Sequence, residues 1–300
     1  MRETEIVRRI AALAGTAGRN RSVITGIGDD AAIVRPPPGE DLVFTTDFVL
    51  QDRHFTLATH TAADIGHKAL ARSLSDLAAM GSEPVFCLIS LALPAALGPA
   101  WVNRLYKSLL ALAAKHRIVI AGGDLARFEK VAVDVMCCGR VPRGKALVRS
   151  AAKPSDRIYV TGKLGASANG LATRRGPNWR RHLRPEPRIR VGIALRKLGI
   201  SACMDLSDGL SLDLTRLCDS SRVSADIGPD IPVAPGASLD EALHGGEDYE
   251  LLFTAPPRIK VPRRIAGIGV TQIGCITRRR SDTIRFNGAP LPPQGFDHFA

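Results

Sequence analysis

Short apolar runs rich in β-branched residues alternate along the chain with longer segments whose apolar residues recur every three or four positions. The runs predict strands, and the longer segments predict amphipathic helices. In the first half of the chain, strands are predicted near residues 42–45, 85–93, 119–121 and 131–141, and helices near 61–79 and 101–115. Strands that alternate with helices in this way predict an α/β fold.

A second series of the same kind follows residue 156. It predicts strands near residues 157–161, 251–254 and 270–276, and helices near 189–198 and 210–220. The two series join near residue 145, in a chain long enough to bury a sizeable core. We therefore predict an N-terminal domain over residues 1–145 and a C-terminal domain over residues 146–300.

Residues 174–190 interrupt the second series with seven arginines and a single acidic residue, Glu186. Three prolines divide the segment, Pro177, Pro185 and Pro187. Since proline is incompatible with the interior of a helix, we expect an ordered loop or lid. We further expect Arg181 and Arg184 to close over bound phosphates, and a solvated basic loop is the alternative.

The composition is that of a globular protein, with 45% hydrophobic and 23% charged residues. Lysine and arginine number 41 against 29 acidic residues, a formal balance of +12, so we expect an anionic partner, either a phosphate compound or nucleic acid. The six cysteines form no C-x-x-C pair, and most lie in apolar runs, as reduced buried thiols do. This usage favours a cytoplasmic protein.

No targeting segment is expected in the chain. The N-terminal residues contain no apolar signal core, and Ile6, Ile10 and Leu13 indicate an amphipathic helix instead. Residues 84–103 carry no charge, but prolines and a glycine break the stretch near residue 94 and again near residue 98. A strand, a turn and a helix are therefore expected there rather than a membrane span.

The aspartates gather in short motifs of small and polar residues, several of which follow a predicted strand. The motifs cover residues 26–30, 45–47, 75–76, 122–124 and 205–209. Because the strand ends of an α/β sheet converge on one crevice, these side chains are expected to meet there. Two carboxylates about 4 Å apart repel by roughly 4 kcal/mol at an effective dielectric constant near 20, so such a cluster takes up protons or recruits cations.

Oxygen ligands without a neighbouring set of histidines and cysteines favour Mg²⁺ over Zn²⁺. Mg²⁺ usually takes one or two protein carboxylates and fills its other positions with water and phosphate oxygens, so the cleft predicts several ions and a polyphosphate, with ATP as the first candidate. Turn and cap roles are the alternative for single motifs such as residues 29–30 and 207–209. Asp76 lies inside a predicted helix, where aspartate is unfavourable unless it serves as a ligand.

Nine collinear segments are similar to the motifs of thiamine-monophosphate kinases, which share a superfamily with aminoimidazole ribonucleotide synthetase and selenophosphate synthetase. The segments are GIGDDAAIV (26–34), TTD (45–47), KALARSLSDLAAMG (68–81), AGGD (121–124), GKALVRSAAKPSD (144–156), RHLRPEPRI (181–189), MDLSDGLSLDL (204–214), HGGEDYELLF (244–253) and FDHF (296–299). They span nearly the whole chain, and SDLAAMG and GGEDYEL point to the kinase rather than to its siblings.

The resemblance implies Mg²⁺-dependent transfer of the γ-phosphoryl group of ATP to thiamine monophosphate, which yields thiamine diphosphate and ADP in the last step of thiamine diphosphate biosynthesis. It also implies an N-terminal α/β half that builds a barrel with its copy across a homodimer, and an AIR-synthetase-like C-terminal α/β half that closes the active-site cleft. The acceptor phosphate has a second pKa near 6 and is largely anionic at neutral pH, so no residue is expected to act as a general base.

The resemblance also implies roles for single residues. The positions that hold magnesium match Asp30, Thr45, Thr46, Asp47, Asp76, Asp124, Asp205 and Asp208. The nucleotide contacts match Tyr106, Gly123, Arg149 and Ser207, and the substrate side matches His54, Glu247 and Phe296. Without the resemblance, His54 would be interpreted as a solvated loop residue, and Glu247 with Asp248 as a solvated turn pair.

The chain departs from the family pattern at Leu125, where threonine is common, and at Ala166, where aspartate is common. Phe296 can stack on the substrate but cannot donate a hydrogen bond, as tyrosine or tryptophan could. Two rival functions are a sibling cyclase, which uses ATP to activate a carbonyl oxygen, and a nucleic-acid binder, suggested by the +12 balance. Aromatic residues make up only 5% of the chain and do not interleave with the basic ones, so we expect no nucleic-acid partner and no membrane partner.

Overall fold

The structure, a computed structural model, describes residues 9–14, 22–25, 27 and 32–295. Helices and strands alternate through these residues, which confirms the predicted mixed α/β class. By its contacts the chain divides into two compact units. Unit 1 takes residues 1–77 and 83–144, and unit 2 takes residues 78–82 and 145–300. Residues 9–14 are helical and bury Ile10, in agreement with the amphipathic pattern predicted at this end.

Unit 1 is built on a four-stranded sheet and two long helices. Its elements are β1 (Val23–Thr25), β2 (Ile33–Val34), β3 (Glu40–Leu50), α1 (Ala62–Ala79, whose last two residues belong to unit 2), β4 (Glu83–Leu93), α2 (Pro99–His116), β5 (Val119–Arg127) and β6 (Ala132–Pro142). The sheet has the order β3-β6-β4-β5, and β1 pairs with β2 in a separate antiparallel ribbon. Strands β4 and β5 are parallel because α2 forms the crossover between them.

Sequence signals account for the two helices of unit 1. The apolar positions Leu70, Leu74 and Leu77 of α1 are fully buried, as their spacing predicts. Helix α2 begins with Pro99, where a proline costs no hydrogen bond, and ends at Arg117 in a left-handed backbone conformation with φ of 57°. Throughout residues 32–295 and the shorter described segments, no helix has the length and apolarity needed to span a membrane.

Strands β3 and β5 are longer than predicted, and this corrects the expected position of two acidic motifs. Residues 45–47 and 122–124 lie inside these strands and not beyond their ends. Strand β3 pairs with β6 without interruption from Glu40 to Leu50, so its polar residues take part in the ladder. A strand with one solvated face tolerates alternating polar residues, which is why a search for apolar runs ends the strand too early.

Unit 2 surrounds a larger, mostly antiparallel sheet. Its elements are a 3₁₀ turn (Arg149–Ala151), β7 (Arg157–Thr161), α3 (Ala166–Thr173), α4 (Gly176–Leu183), α5 (Ile189–Lys197), β8 (Ala202–Asp205), α6 (Leu210–Ser221), β9 (Val223–Ile227), α7 (Leu239–His244), β10 (Leu251–Ala255), β11 (Arg264–Ile265), β12 (Ile268–Arg278), β13 (Ile284–Phe286) and β14 (Ala289–Pro290). The strand order is β14-β13-β9-β12-β7-β10-β8, with β11 paired to β12. The core lies between this sheet and α6, where Val160, Met204, Leu214 and Leu252 are buried together.

The arginine-rich segment contains helices, so the prediction of a loop over residues 174–190 was wrong. Pro177 stands in the first turn of α4, and the helix ends at Leu183, two residues before Pro185. The prolines therefore mark helix boundaries, which is where proline is tolerated, and do not prevent a helix. Basic side chains fill the last turn of α4, where the helix dipole favours positive charge.

Candidate functional site

In unit 1, a strand and a helix bring three of the predicted metal ligands together. Thr45 and Asp47 lie on the same face of β3, and the hydroxyl of Thr45 donates a hydrogen bond to the carboxylate of Asp76 on α1. Arg72, one turn earlier on α1, lies 3.7 Å from the Asp47 carboxylate. We call Thr45, Asp47 and Asp76 the acid cluster of unit 1.

Burial and the proximity of the two carboxylates both affect the ionisation of the acid cluster. Burial, and next the charge of Asp76, raises the pKa of Asp47 from its ordinary value of 3.8 to about 7, although Arg72 and a hydrogen bond with Ser73 act in the opposite direction. A carboxyl with this pKa is only partly ionised at neutral pH. A divalent cation between the two carboxylates would remove the repulsion and ionise both.

Two other predicted ligands lie on the opposite face of the same sheet. The hydroxyl of Thr46 donates to Asp134 on β6 at 2.6 Å. Ser90 on β4 pairs in register with Asp134 and also with Asp124 on β5, so Thr46, Asp134, Ser90 and Asp124 share one face. Sequence reasoning missed Asp134. The alternation of Val133, Asp134 and Val135 could have indicated it, since the valines are buried on the other face.

Two of the predicted nucleotide residues, Gly123 and Tyr106, differ in their surroundings. Gly123 has φ of 155°, and a Cβ atom there would overlap the carbonyl oxygen of Ile89, so the close approach of β5 to β4 requires glycine. Tyr106 is only 2% exposed, and burial followed by the nearby Cys87 raises the pKa of its hydroxyl. Its ring belongs to the core of unit 1, and a nucleotide contact of Tyr106 stays a prediction.

His54 is buried in the turn after β3, which contradicts the alternative of a solvated loop residue. Its Nδ1 accepts the N–H of Leu50 at 3.0 Å, so the proton of the neutral ring is assigned to Nε2. The Nζ of Lys68, fully buried on α1, donates to the His54 carbonyl oxygen at 3.3 Å. The turn is therefore held at a fixed position beside α1, and a substrate contact of His54 stays a prediction.

In unit 2, two motifs far apart in the sequence lie side by side. The 205–209 loop follows β8, and the 245–250 loop precedes β10. Three backbone hydrogen bonds join them: Glu247 N–H to Ser207 at 2.7 Å, Tyr249 N–H to Leu206 at 2.9 Å, and Leu206 N–H to Glu250 at 2.8 Å. They extend the antiparallel pairing of β10 with β8, and so place the predicted nucleotide residue Ser207 next to the predicted substrate residue Glu247.

The 205–209 loop takes its shape from Asp213, a residue that sequence reasoning missed. The carboxylate of Asp213 accepts the N–H groups of Ser207, Asp208 and Gly209 at 3.0–3.1 Å. Burial, chiefly, raises the pKa of Asp213 to about 6, and the hydrogen bonds from the loop partly offset it. An aspartate inside a predicted helix was a usable signal, since the same reasoning singled out Asp76.

The predicted ligands of unit 2 differ in exposure. Asp205 is the last residue of β8 and is 3% exposed, whereas Asp208 lies in the loop and forms an ion pair with Arg216 of α6. Gly209 has φ of 120°, and a Cβ there would lie 2.7 Å from the carbonyl oxygen of His244, so this turn requires glycine. Arg149 starts the 3₁₀ turn with an exposed side chain.

The acidic residues of the 245–250 loop have separate partners, which contradicts the alternative of a solvated turn pair. Asp248 is buried and accepts the N–H groups of Gly165 and Ser167 at 2.6 and 3.1 Å, at the start of α3. Burial raises the pKa of Asp248 to about 6 against these hydrogen bonds. The start of α3, where Ala166 departs from the family pattern, is thus held by a carboxylate from another segment.

Glu250 is fully buried and binds two arginines of the arginine-rich segment. Arg188 donates to both carboxylate oxygens at 2.5 and 2.7 Å, Arg181 donates to one of them, and Thr161 donates to the other at 2.6 Å. Burial alone would raise the pKa of Glu250, but Arg188 and then Arg181 lower it below its ordinary value. Arg181 therefore stabilises a loop and is not directed at phosphate, which corrects the role expected for it.

Two predicted residues, Asp30 and Phe296, lie outside the described residues. The segment before Phe296 is anchored to α6, since the hydroxyl of Ser211 accepts the N–H of Gln294 at 3.1 Å and donates to its carbonyl oxygen at 2.7 Å. Among the described residues, no group of three or more histidine, cysteine, aspartate or glutamate side chains is arranged to hold a metal ion.

An open groove of about 680 Å³ on unit 2 contains none of the predicted site residues. Strands β7 and β12 and the 260–263 segment line it, and its basic residues are Arg157, Lys260 and Arg263. The groove accounts for part of the positive balance of the chain.

Together, the sheet, the acidic positions and the paired loops define an enzyme of the AIR synthase-related class. The family model described as "AIR synthase related protein, N-terminal domain" matches residues 28–141. The thiamine-monophosphate kinase of Salmonella typhimurium is 39% identical in an alignment of 308 positions, gaps included, that covers 93% of this chain and 93% of that protein. The chain belongs to the thiamine-monophosphate kinase family, and this confirms the resemblance found in its motifs.

Solved structures agree with this assignment. The crystal structure of thiamine-monophosphate kinase from Stenotrophomonas maltophilia K279a has a TM-score of 0.84 and 33% identity, covering 97% of this chain and 98% of that chain. The complex of AaThiL with AMPPCP and TMP has a TM-score of 0.81 and 30% identity, covering 100% of this chain and 99% of that chain. The fold described above is thus the fold of these kinases along nearly the whole chain.

Proposed function

We propose that this protein transfers the γ-phosphoryl group of ATP to thiamine monophosphate and releases thiamine diphosphate and ADP. Membership of the family supports the proposal, as does the complex of the related AaThiL with AMPPCP and TMP. The observation in the structure that carries it is the acid cluster of unit 1, because phosphoryl transfer between two polyanions depends on cations held at fixed positions.

The acid cluster fits Mg²⁺. Its donors are hard oxygens, and the charge of Asp76 is the second cause, after burial, of the raised pKa of Asp47. In the proposal, Thr45, Asp47 and Asp76 hold magnesium on one face of the sheet, and Thr46 and Asp124 do so on the other. Asp30 of the first motif, with Asp205 and Asp208 of unit 2, completes the set of ligands. When bound, Mg²⁺ neutralises the phosphate charge and orients the transferred group.

The chain's own residues bind and align the two substrates. Ser207, Arg149 and the backbone at Gly123 contact ATP in the proposal, and His54, Glu247 and Phe296 contact thiamine monophosphate. The backbone bond between Glu247 and Ser207 keeps the acceptor side and the nucleotide side at a constant spacing. A phosphate monoester is already largely anionic at neutral pH, so the attacking oxygen needs no general base.

The proposal includes a homodimer in which unit 1 builds a barrel with its copy, while unit 2 forms the AIR-synthetase-like half that closes the cleft. Phe44 and Phe48 lie on one face of the edge strand β3 and are 59% and 58% exposed. Exposed aromatic side chains on an edge strand are typical of an interface. Light scattering is expected to give a dimer for the protein and a monomer for the variant with both Phe44→Asp and Phe48→Asp. A monomeric wild-type protein would contradict this part of the proposal.

The decisive assay incubates the protein with ATP, Mg²⁺ and thiamine monophosphate and measures thiamine diphosphate and ADP. We expect equal amounts of the two products and none without Mg²⁺. Absence of product beside an active control kinase would refute the proposal. Formation of ADP with a carbonyl-bearing acceptor, but not with thiamine monophosphate, would favour a sibling cyclase.

A further inference from the structure

Helix α4 reaches the 245–250 loop through His182 as well as through Arg181. The ring of His182 is 3% exposed and lies parallel to Trp179, with 5.2 Å between the ring centroids and 11° between the planes. Its Nδ1 is 2.9 Å from the hydroxyl of Ser167 and 3.4 Å from a carboxylate oxygen of Glu247. The stack and the Ser167 hydrogen bond hold the ring in one orientation, which keeps Nδ1 3.4 Å from Oε2 of Glu247.

Glu247 has a fixed main chain and an accessible side chain. Its N–H donates to Ser207, and its φ of 63° lies in the left-handed region, which non-glycine residues adopt only where the surrounding structure holds them. Its side chain is 22% exposed with Oε1 buried, so part of it stays accessible beside His182. A glutamate side chain loses up to about 2 kcal/mol of rotamer entropy when it is ordered, and a contact made before binding removes that cost from the ligand.

The partners of the neighbouring acids distinguish the His182 contact from ordinary core packing. Asp248 bonds to backbone N–H groups, and Glu250 bonds to two arginines and Thr161. These contacts are buried and hold the loop. His182 instead lies beside Glu247, whose side chain is 22% exposed although its Oε1 atom is buried.

We infer that His182 is a positioning residue, which holds the Glu247 carboxylate in the orientation that meets thiamine monophosphate. The inference rests on the proposed function, and in particular on Glu247 as an acceptor contact. It predicts that loss of the ring nitrogen weakens acceptor binding and leaves ATP binding unchanged.

His182→Phe tests this, because phenylalanine keeps an aromatic ring beside Trp179 but removes Nδ1. We expect the KM for thiamine monophosphate to rise by up to about tenfold, because the Glu247 carboxylate loses the polar contact that orients it, while the KM for ATP stays within about twofold. His182→Asn, whose amide nitrogen takes the place of Nδ1, should restore most of the acceptor affinity. His116→Phe is the matched control, at a partly buried histidine at the end of α2.

A double-mutant cycle with Glu247→Gln separates positioning from general stabilisation. Once Glu247 is changed, His182→Phe should add no further increase in the acceptor KM. Equal increases in both backgrounds, or a matching rise in the KM for ATP, would overturn the inference. If wild-type protein forms no thiamine diphosphate at all, the proposed function fails.

A further measurement depends neither on the kinase assay nor on the variants of His182. In ¹⁵N spectra, Glu247→Gln should shift the Nδ1 resonance of His182 and leave that of His116 in place. An unchanged His182 resonance would overturn the contact itself, whatever the protein phosphorylates.

Discussion

The two units use carboxylates in opposite ways. In unit 2, Asp213, Asp248 and Glu250 are buried, and each receives several hydrogen bonds from backbone N–H groups or arginines. In unit 1, Asp47 lies beside Asp76, and burial with that second charge raises its pKa to about 7. Burial also raises the pKa values of Asp213 and Asp248, but hydrogen bonds from the backbone are the next largest effect there and lower them. For Asp47 the next largest effect is the charge of Asp76, which an added cation would balance.

This difference shows that the net charge of a chain says little about the local charge of a site. The chain carries a formal balance of +12, yet the acid cluster of unit 1 places the carboxylate of Asp47 within the field of Asp76. Much of the positive charge of the 174–190 segment is occupied in unit 2, where Arg181 and Arg188 bind Glu250. A basic composition therefore gave no warning that the site itself favours cations.

The difference between the two units predicts that the largest effect of a substitution is on turnover. Asp47→Asn should reduce kcat by roughly 10³-fold and leave the fold intact, because the amide keeps the shape but loses the charge that binds Mg²⁺. Asp208→Asn should act in the same direction. Asp41→Asn is the matched control on the same strand, where the side chain only accepts the N–H of Gly144. Steady-state kinetics measures kcat for each variant. Near-normal turnover of the Asp47 variant would count against metal binding at Asp47.

The second effect is a loss of stability in unit 2. Glu250→Gln leaves two arginines without their counter-charge, and breaking a buried pair in this way costs about 3–5 kcal/mol. Chemical denaturation measures the change. Asp219→Asn is the control, because its pair with Arg279 is about half exposed and should contribute about 1 kcal/mol at most. Equal losses in the two variants would remove the distinction between buried and exposed pairs.

The third effect is a gain of stability rather than a loss. The pKa of Asp47 is higher in the folded protein than its ordinary value of 3.8, so the folded state binds this proton more tightly, and the stability from this group is lost as pH rises through about 7. Without divalent cations, Asp47→Asn should stabilise the protein by about 1–3 kcal/mol above pH 7, and by less toward pH 5. Thermal unfolding at several pH values tests this, and a destabilised variant at pH 8 would show that the cluster is already neutralised.

The smallest effect concerns the start of α3. Asp248→Asn keeps one acceptor oxygen for two N–H donors, so a loss of about 1 kcal/mol is expected. The KM values should not change, because Asp248 is buried and directed at the helix. A raised KM for thiamine monophosphate would instead show that Asp248 contributes to substrate binding.

Elements with strong periodicity were predictable from the sequence. Strand β7 and helix α6 lie within a residue of their predicted ends, because burial on a defined face imposes the spacing of their apolar residues. The collinear motifs identified the family, since glycine and acidic residues at fixed spacing are constrained by the site rather than by the core.

Other features depend on contacts between distant segments, which periodicity does not encode. Glu250 resembles an ordinary polar residue in the sequence, and only its partners reveal what it holds. The position of Asp213 inside a predicted helix was a signal, but it does not show which loop the carboxylate binds. The prolines around α4 were interpreted as helix breakers although they stand at its ends. The end of β3 beyond residue 45 was missed because polar and apolar residues alternate there, on a strand with one face that is not covered within unit 1.

The backbone hydrogen bonds between the 205–209 and 245–250 loops have a consequence for how this enzyme family can vary. Main-chain atoms make these bonds, so the two loops stay in register when their side chains are exchanged. Evolution or a protein engineer can then alter selectivity on one loop by point substitution while the opposing loop keeps its place.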